Sequence, residues 1–254
     1  MSAFTYPTVL SRLDGQSGVR TLTLNRPQRL NAMNRALIDD LARAVEDANA
    51  DPATRVLILT GAGTAFCAGD DRKDHVHPQS EEAARDLVLA IQRATRAMVF
   101  GPKPVVGAIN GWAVGGGFEW ALNCDFPIWA ESGRGFFPEV SLNLFVTGGV
   151  TALLPALVGP FKAREMLLFG ERYTAAELAD LGVAWKVVAD GDLMAEAMAT
   201  ARRLADLPPL AVRAMKRVLT AVGTADLNRA LDLETEATVA GFLDPETTRR
   251  LGAF

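Results

Sequence analysis

The sequence predicts a layered α/β body followed by a helical appendage. Short apolar, β-branched runs alternate with segments of helical period as far as residue 190, and from Asp190 onward the strand-like runs cease. At 254 residues, 49% apolar and 22% charged, the chain suits one large soluble domain, or one domain with an appendage. It holds no fixed-period repeat and no low-complexity segment.

The first strand is Val19-Arg20-Thr21-Leu22-Thr23-Leu24, which Asn25-Arg26-Pro27 ends. Asn34 caps a helix whose apolar positions Leu37, Ile38, Leu41, Val45 and Ala48 keep the helical period, and Asp51-Pro52 closes it. Residues 56–60 form a buried strand. Gly61-Ala62-Gly63-Thr64-Ala65-Phe66-Cys67-Ala68-Gly69-Asp70-Asp71 then reads as a glycine-rich loop. Residues 71–80 are polar and carry both histidines, His75 and His77, near Asp70, Asp71 and Asp74; the composition favours a solvated loop over a metal site. Residues 81–100 make a long helix with Leu87, Val88, Ile91 and Met98 inward. Buried strands follow at 104–109, 125–130 and 183–188. Between the last two, Thr147-Gly148-Gly149 starts a helix through Leu157, kinked or ended by Pro155. Pro160 and Gly170 bracket the next helix, and Thr174-Ala175-Ala176-Glu177 is a capping box with Gly182 as the stop. The appendage comprises helices over 192–207, 209–222 and 225–243, with a short tail after Asp244-Pro245.

The unusual demands concentrate in Asn110-Gly111-Trp112-Ala113-Val114-Gly115-Gly116-Gly117-Phe118-Glu119-Trp120. Three consecutive glycines between a strand and a helix are costly in entropy, so a close approach or special backbone shape is expected there. A helix starting in them aims free N–H groups at whatever lies above, with the carboxylate of Glu119 on the same rigid piece. A tight packing junction with Glu119 on the solvent side fits the same residues. Glu139, in Phe136-Phe137-Pro138-Glu139-Val140, is a second carboxylate among apolar neighbours; taken alone it also fits a loop-edge residue paired with Arg134.

Net charge is −4, which leaves no basic footprint for nucleic acid. No apolar run is long enough to span a bilayer, the N-terminal residues lack a signal-peptide layout, and Cys67 and Cys124 fit no zinc or redox spacing. A cytoplasmic protein with reduced core cysteines is expected. Both histidines sit in one polar loop and no G-x-S-x-G elbow exists, which excludes ordinary serine-hydrolase chemistry. The dinucleotide fingerprint and the G-K-[ST] phosphate loop are absent. Two glycine loops after strands and two glutamates in apolar settings remain, a set suited to proton transfer at carbon beside a stabilised oxyanion.

With these motifs in this order, the chain resembles the enoyl-CoA hydratase/isomerase (crotonase) superfamily nearly end to end. The resemblance runs through Leu24-Asn25-Arg26-Pro27-Gln28-Arg29-Leu30-Asn31-Ala32, Ala65-Phe66-Cys67-Ala68-Gly69-Asp70-Asp71, the triple-glycine stretch, Pro138-Glu139-Val140, Gly148-Gly149 and the last helices with Ala253-Phe254. It implies an α/β spiral of β-β-α units over 1–190 and a helical trimerisation region over 191–254, assembling as a homotrimer or a dimer of trimers. It also implies that the backbone amides of Asp70 and Gly116 form an oxyanion hole for a thioester carbonyl. Glu119 and Glu139 match the pair that holds a water in hydratases, Glu119 activating it for the β-carbon and Glu139 supplying the α-proton. Arg29, Leu30 and Ala68 would lie along the CoA chain of an acyl-CoA thioester, with no metal and no separate cofactor.

Four departures from the family pattern stand out. Asp70 stands where a small uncharged residue is usual, so its side chain is expected to turn away from the oxyanion. Asn143 replaces a common glycine and Val146-Thr147 a common Pro-Gly, which reshapes the wall behind Glu139. Trp112, Phe118 and Trp120 add aromatic bulk near the centre, and the basic tail of many relatives is missing. The leading expectation is an enoyl-CoA hydratase. Its rivals are a Δ3,Δ2-isomerase that uses one glutamate, Glu139, and a CoA-thioester-binding protein without turnover.

Overall fold

The structure, a computed structural model, describes residues 6–74, 77–223 and 226–253. A six-stranded sheet runs in the order β1 (Val9–Asp14), β2 (Val19–Leu24), β3 (Val56–Gly61), β5 (Val105–Ile109), β7 (Phe126–Ala130) and β10 (Lys186–Val188). All neighbours are parallel except the β1–β2 hairpin. A smaller sheet takes β4 (Ala65–Cys67), β6 (Trp112–Val114), β8 (Arg134–Phe136) and β9 (Tyr173–Thr174), with β9 antiparallel. The chain therefore repeats one move. It lays a strand in the large sheet, turns into a short strand of the small sheet, and leaves through a helix. β3-β4 leads to α2 (Glu81–Val99), β5-β6 to α3 (Gly116–Leu122), and β7-β8 to a 3-10 turn at Glu139–Leu142. These are the β-β-α units that the sequence resemblance implies.

Side-chain alternation decides which layer each strand residue joins. Leu57 and Leu59 pack with Leu37, Leu41 and Val45 of α1 (Arg35–Ala50). Val56 and Ile58 face the opposite way, onto Leu193, Ala197, Ala201 and Ala205 of α7 (Leu193–Ala205), whose small residues let helix and sheet approach closely. The 191–254 segment thus begins by covering a sheet face. After α8 (Pro209–Gly223), α9 (Leu227–Leu243) lies on α2, where the buried Gln92 amide donates to Leu231 O and Thr235 Oγ1 at 2.7 and 3.0 Å.

Caps fall where the sequence asks for them. Asn34 Oδ1 accepts from Leu37 N–H at 3.0 Å, and the Thr174–Glu177 box closes on α6 (Ala175–Asp180). Pro160 begins α5 (Pro160–Phe169), and Gly170 ends it in the left-handed region. Pro155 sits inside α4 (Val150–Val158), which runs three residues beyond it to Gly159.

The differences have local causes. The small sheet is absent from the sequence reading because strands of two or three residues show no alternation; Ala65-Phe66-Cys67, read as loop, is β4. The β1 strand was not anticipated. Of 183–188 only Lys186–Val188 pairs in the sheet, because the Val183 and Ala184 amides are taken by Leu178 O. α4 starts at Val150 rather than at Thr147, whose amide is bound elsewhere. The expected tail is a further helix, α10 (Pro245–Ala253), with proline in its first position. Phe254 and His75 lie outside the described residues. No described helix is long and apolar enough to cross a membrane.

Candidate active site

The parallel pairing of β4 with β6 brings the two glycine loops together. Cys67 is opposite Ala113, so Asp70 and Gly116, each three residues further on, leave the sheet side by side. Gly69 O accepts from Met33 N–H, and Asp71 N–H donates to Met33 O. Because a trans peptide points its C=O and N–H oppositely, the Asp70 N–H is directed away from Met33. Gly116 opens α3, and its N–H is one of the donors that a helix start leaves without an intrahelical partner. Both residues line one cavity of about 140 Å³. The Asp70 side chain is exposed at the rim of that cavity.

The glycine run is explained by what surrounds it. Gly115 has φ +51°, and a Cβ there would lie 2.5 Å from Glu139 Oε1. A Cβ on Gly116 would meet Met33 Sδ at 2.7 Å, and one on Gly117 would overlap Cys67 O. Arg26 secures the neighbouring loop from below. It is buried, donates to Ala32 O at 2.5 Å, and pairs with Asp71 and Asp74 at 2.8 and 3.1 Å.

Both glutamates are buried, Glu119 at 1% and Glu139 at 9% exposure, and both line the cavity. The solvent-side alternative for Glu119 is thereby removed. Glu119 Oε1 accepts from Thr147 N–H at 3.0 Å and Oε2 from Thr147 Oγ1 at 2.9 Å. Burial raises its carboxyl above the ordinary range, the Thr147 bonds oppose this, and the charge of Glu234 adds to the rise. Glu139 is not paired with Arg134, whose guanidinium donates to the carbonyls of Glu131 and Gly133. Among the described residues Glu139 Oε2 has no hydrogen-bond partner, and burial followed by the charge of Glu119 pushes this carboxyl up. The pair shares one apolar enclosure, with donors on Glu119 and none on Glu139 Oε2. The proton of a singly protonated pair therefore belongs mainly to Glu139.

Apart from Arg72 and Thr238, the rest of the cavity lining is apolar. Leu87 and Ile91 of α2, Leu144 and Phe145, Phe242 of α9 and Leu251 of α10 form its walls. Asn143 takes the left-handed conformation (φ 60°) that explains the glycine usual there, and its Nδ2 donates to Thr247 Oγ1 at 3.1 Å. Phe118 and Trp120 are core residues, Phe118 stacked on Phe137 at 4.7 Å, while Trp112 lies at the surface under Arg172. None of the three lines the cavity. Ala68 lines it, and Ala68 N–H donates to Leu30 O at 3.1 Å, joining two of the expected CoA-side residues; Arg29, next to Leu30, makes no ion pair among the described residues. Sequence reasoning missed Thr147 as a partner of Glu119, and missed Met33 and the α2, α9 and α10 walls. Thr147 was visible as a helix start and as a departure from the family pattern, not as a donor to Glu119. Among the described residues there is no cluster of three metal-ligating side chains.

Comparison with known proteins shows the family and the fold. The sequence model described as enoyl-CoA hydratase/isomerase matches residues 14–247. The 1,2-epoxyphenylacetyl-CoA isomerase of Escherichia coli K12 is 37% identical over 226 residues, covering 87% of this chain and 86% of that protein. The crotonyl-CoA hydratase of Syntrophomonas wolfei is 34% identical over 243 residues, covering 95% and 93%. Among solved structures, an enoyl-CoA hydratase/isomerase from Mycobacterium paratuberculosis superimposes with a TM-score of 0.91 at 30% identity, over 99% of this chain and all of the other. An enoyl-CoA hydratase from Mycobacterium avium subsp. paratuberculosis K-10 gives 0.89 at 28%. The chain is therefore an enzyme of the hydratase or isomerase type, and it belongs to the enoyl-CoA hydratase/isomerase family.

Proposed function

We propose that this enzyme is an enoyl-CoA hydratase, adding water syn across the double bond of a 2-enoyl-CoA thioester. The observation that carries the reading is the pair of buried carboxylates, Glu119 and Glu139, on the same cavity as the amides of Asp70 and Gly116. The thioester oxygen accepts from those two N–H groups, which stabilise the enolate that forms as the β-carbon is attacked. Glu119, ionised and held by Thr147, takes a proton from water as its oxygen bonds to the β-carbon. Glu139 gives its proton to the α-carbon on the same face. Returning one proton from Glu119 to Glu139 restores the starting state. CoA belongs to the substrate, and the step draws on no separate cofactor.

Arg29, without an ion pair among the described residues, suits the phosphates of CoA, and Leu30 with Ala68 suits its pantetheine arm. The second reading is an enoyl-CoA isomerase in which Glu139 alone shuttles the proton. It is favoured by Thr147, which supplies a donor to each oxygen of Glu119 while Glu139 Oε2 stays open. Glu119→Gln separates the two. Hydration falls by about a hundred- to ten-thousandfold under the first reading, and double-bond migration largely survives under the second.

A homotrimer, alone or as a dimer of trimers, is the expected assembly, with a cytoplasmic location. Its support is α8, an inverted helix in the isolated chain. Leu210, Met215, Val218, Leu219 and Val222 are more than half exposed, while Lys216 is its one buried residue. Such a face suits a second copy of the chain.

A further inference from the structure

Glu234 on α9 is a buried carboxylate that the chemistry above leaves unused. Its exposure is 0%, and no cation touches it among the described residues. All its bonds come from one short segment. Oε2 accepts from Gly149 N–H at 2.7 Å, and Oε1 accepts from Thr151 N–H and Oγ1 at 2.9 and 2.7 Å. Two residues upstream of Gly149, Thr147 gives both its donors to Glu119. Residues 147–151 therefore bridge two buried carboxylates.

The bridge has no slack. A Cβ on Gly148 would lie 2.8 Å from both Cβ and Oε2 of Glu119, and one on Gly149 would meet Leu227 Cδ1 of α9 at 2.5 Å. Densely packed groups of this kind transmit a displacement rather than absorb it. Capping α4 alone needs only a Ser, Asp or Asn at the cap position. Here the cap is a charge brought from α9 and buried without a counter-ion, which is expensive unless it serves something more.

We propose that Glu234 is a positioning residue for Glu119: by anchoring residues 147–151 to α9 it fixes where Thr147 presents its amide and hydroxyl to the catalytic carboxylate. This rests on the reading of Glu119 and Glu139 as the acid–base pair. The negative charge of Glu234 also acts on Glu119 directly, adding to the upward push of burial. Of the charged groups around Glu119, Glu139, Asp70 and Arg72 line the same cavity, and Glu234 caps the adjoining segment. α4 carries none, and Arg85 and Arg96 of α2 are turned to Glu236, Asn228 and Asp232 at the surface.

Glu234→Gln keeps the shape but removes the charge and sets an amide N–H against one of the anchoring donors. In folded enzyme, checked by circular dichroism, kcat falls between about ten- and a hundredfold while KM changes little. The acid limb of the kcat–pH profile moves to lower pH, because Glu119 has lost a like charge and stays ionised further into acid. Glu234→Asp keeps the charge and shortens the anchor, so kcat falls while the limb stays in place. Unchanged kcat and pH profile in folded Glu234→Gln overturn the proposal, and so does unchanged kcat in Glu234→Asp if the glutamine variant does not fold. Nuclear magnetic resonance of protein labelled with carboxyl-13C glutamate gives a readout independent of turnover. The Glu119 signal titrates at lower pH in Glu234→Gln if the proposal holds and is unmoved if it does not. Wild-type enzyme inert toward every enoyl thioester would instead overturn the hydratase reading, leaving this titration to decide the role of Glu234.

Discussion

Glu139 is held where a carboxylate is least stable as an anion. Among the described residues its Oε2 has no hydrogen-bond partner, its neighbour Glu119 is like-charged, and Oε1 fits against the bare side of Gly115. Its folded-state carboxyl is raised above the unfolded value, so the group costs little stability in acid. The cost appears as pH rises through the folded value and the buried proton leaves. Under the proposed mechanism, activity should follow the same proton: it should fall on the alkaline side when the pair loses it, and on the acid side when Glu119 becomes protonated. Glu139→Gln should lower hydration by about a hundred- to ten-thousandfold with ligand binding little changed. The same variant should melt at a higher temperature than wild type at pH 9 and differ less at pH 5, measured by calorimetry. A near-wild-type rate would remove Glu139 from the mechanism, and equal melting curves at both pH values would deny its buried ionisation.

The elements around the site differ in how openly the sequence declares them. Gly115-Gly116-Gly117 and Phe66-Cys67-Ala68-Gly69-Asp70 were legible because each needs a particular backbone in a contiguous run, and close approaches to Glu139, Met33 and Cys67 explain the triple glycine. Glu234 was not legible. It lies between Leu233 and Glu236 in what looks like an ordinary polar face, yet Leu233 is 60% exposed and Glu234 fully buried. Local periodicity cannot reveal a charge whose donors come from a helix start more than eighty residues away. Thr147 was hidden for the same reason. Asn143 shows how a departure from the family pattern is accommodated: it adopts the left-handed turn itself and uses its side chain to hold α10 through Thr247. That turn closes the segment carrying Glu139. Asn143→Ala should lose about 2 kcal/mol, from left-handed strain and the missing bond, lowering the melting temperature by roughly 5 °C. Asn143→Gly should recover most of the strain but not the bond. A thermal shift assay ranking wild type, glycine and alanine in any other order would contradict this role.

For the whole molecule, the alternation of strand and helix was enough to predict an α/β body, because long strands and amphipathic helices carry their period in the sequence. The small sheet that sets the two loops side by side was not, since its strands are too short to show one. α8 carries the clearest statement about assembly: its apolar residues face outward, and Lys216 docks it to the body through Met98 O, Lys103 O and Asp125 Oδ2 at 2.7, 2.9 and 2.7 Å. Leu219→Glu should convert a wild-type trimer or hexamer into smaller species by light scattering, with the fold retained in circular dichroism. A monomeric wild type, or an assembly indifferent to the substitution, would direct that face to another use.

The central claim is that two amides polarise a thioester while Glu119 and Glu139 together add water to the adjacent carbons. Incubating the enzyme with a panel of 2-enoyl- and 3-enoyl-CoA thioesters in heavy-oxygen water, and weighing the products by mass spectrometry, tests it most directly. The account predicts 3-hydroxyacyl-CoA carrying one heavy oxygen from a 2-enoyl substrate. Migration of the double bond without oxygen uptake, or no product across the panel, would contradict it.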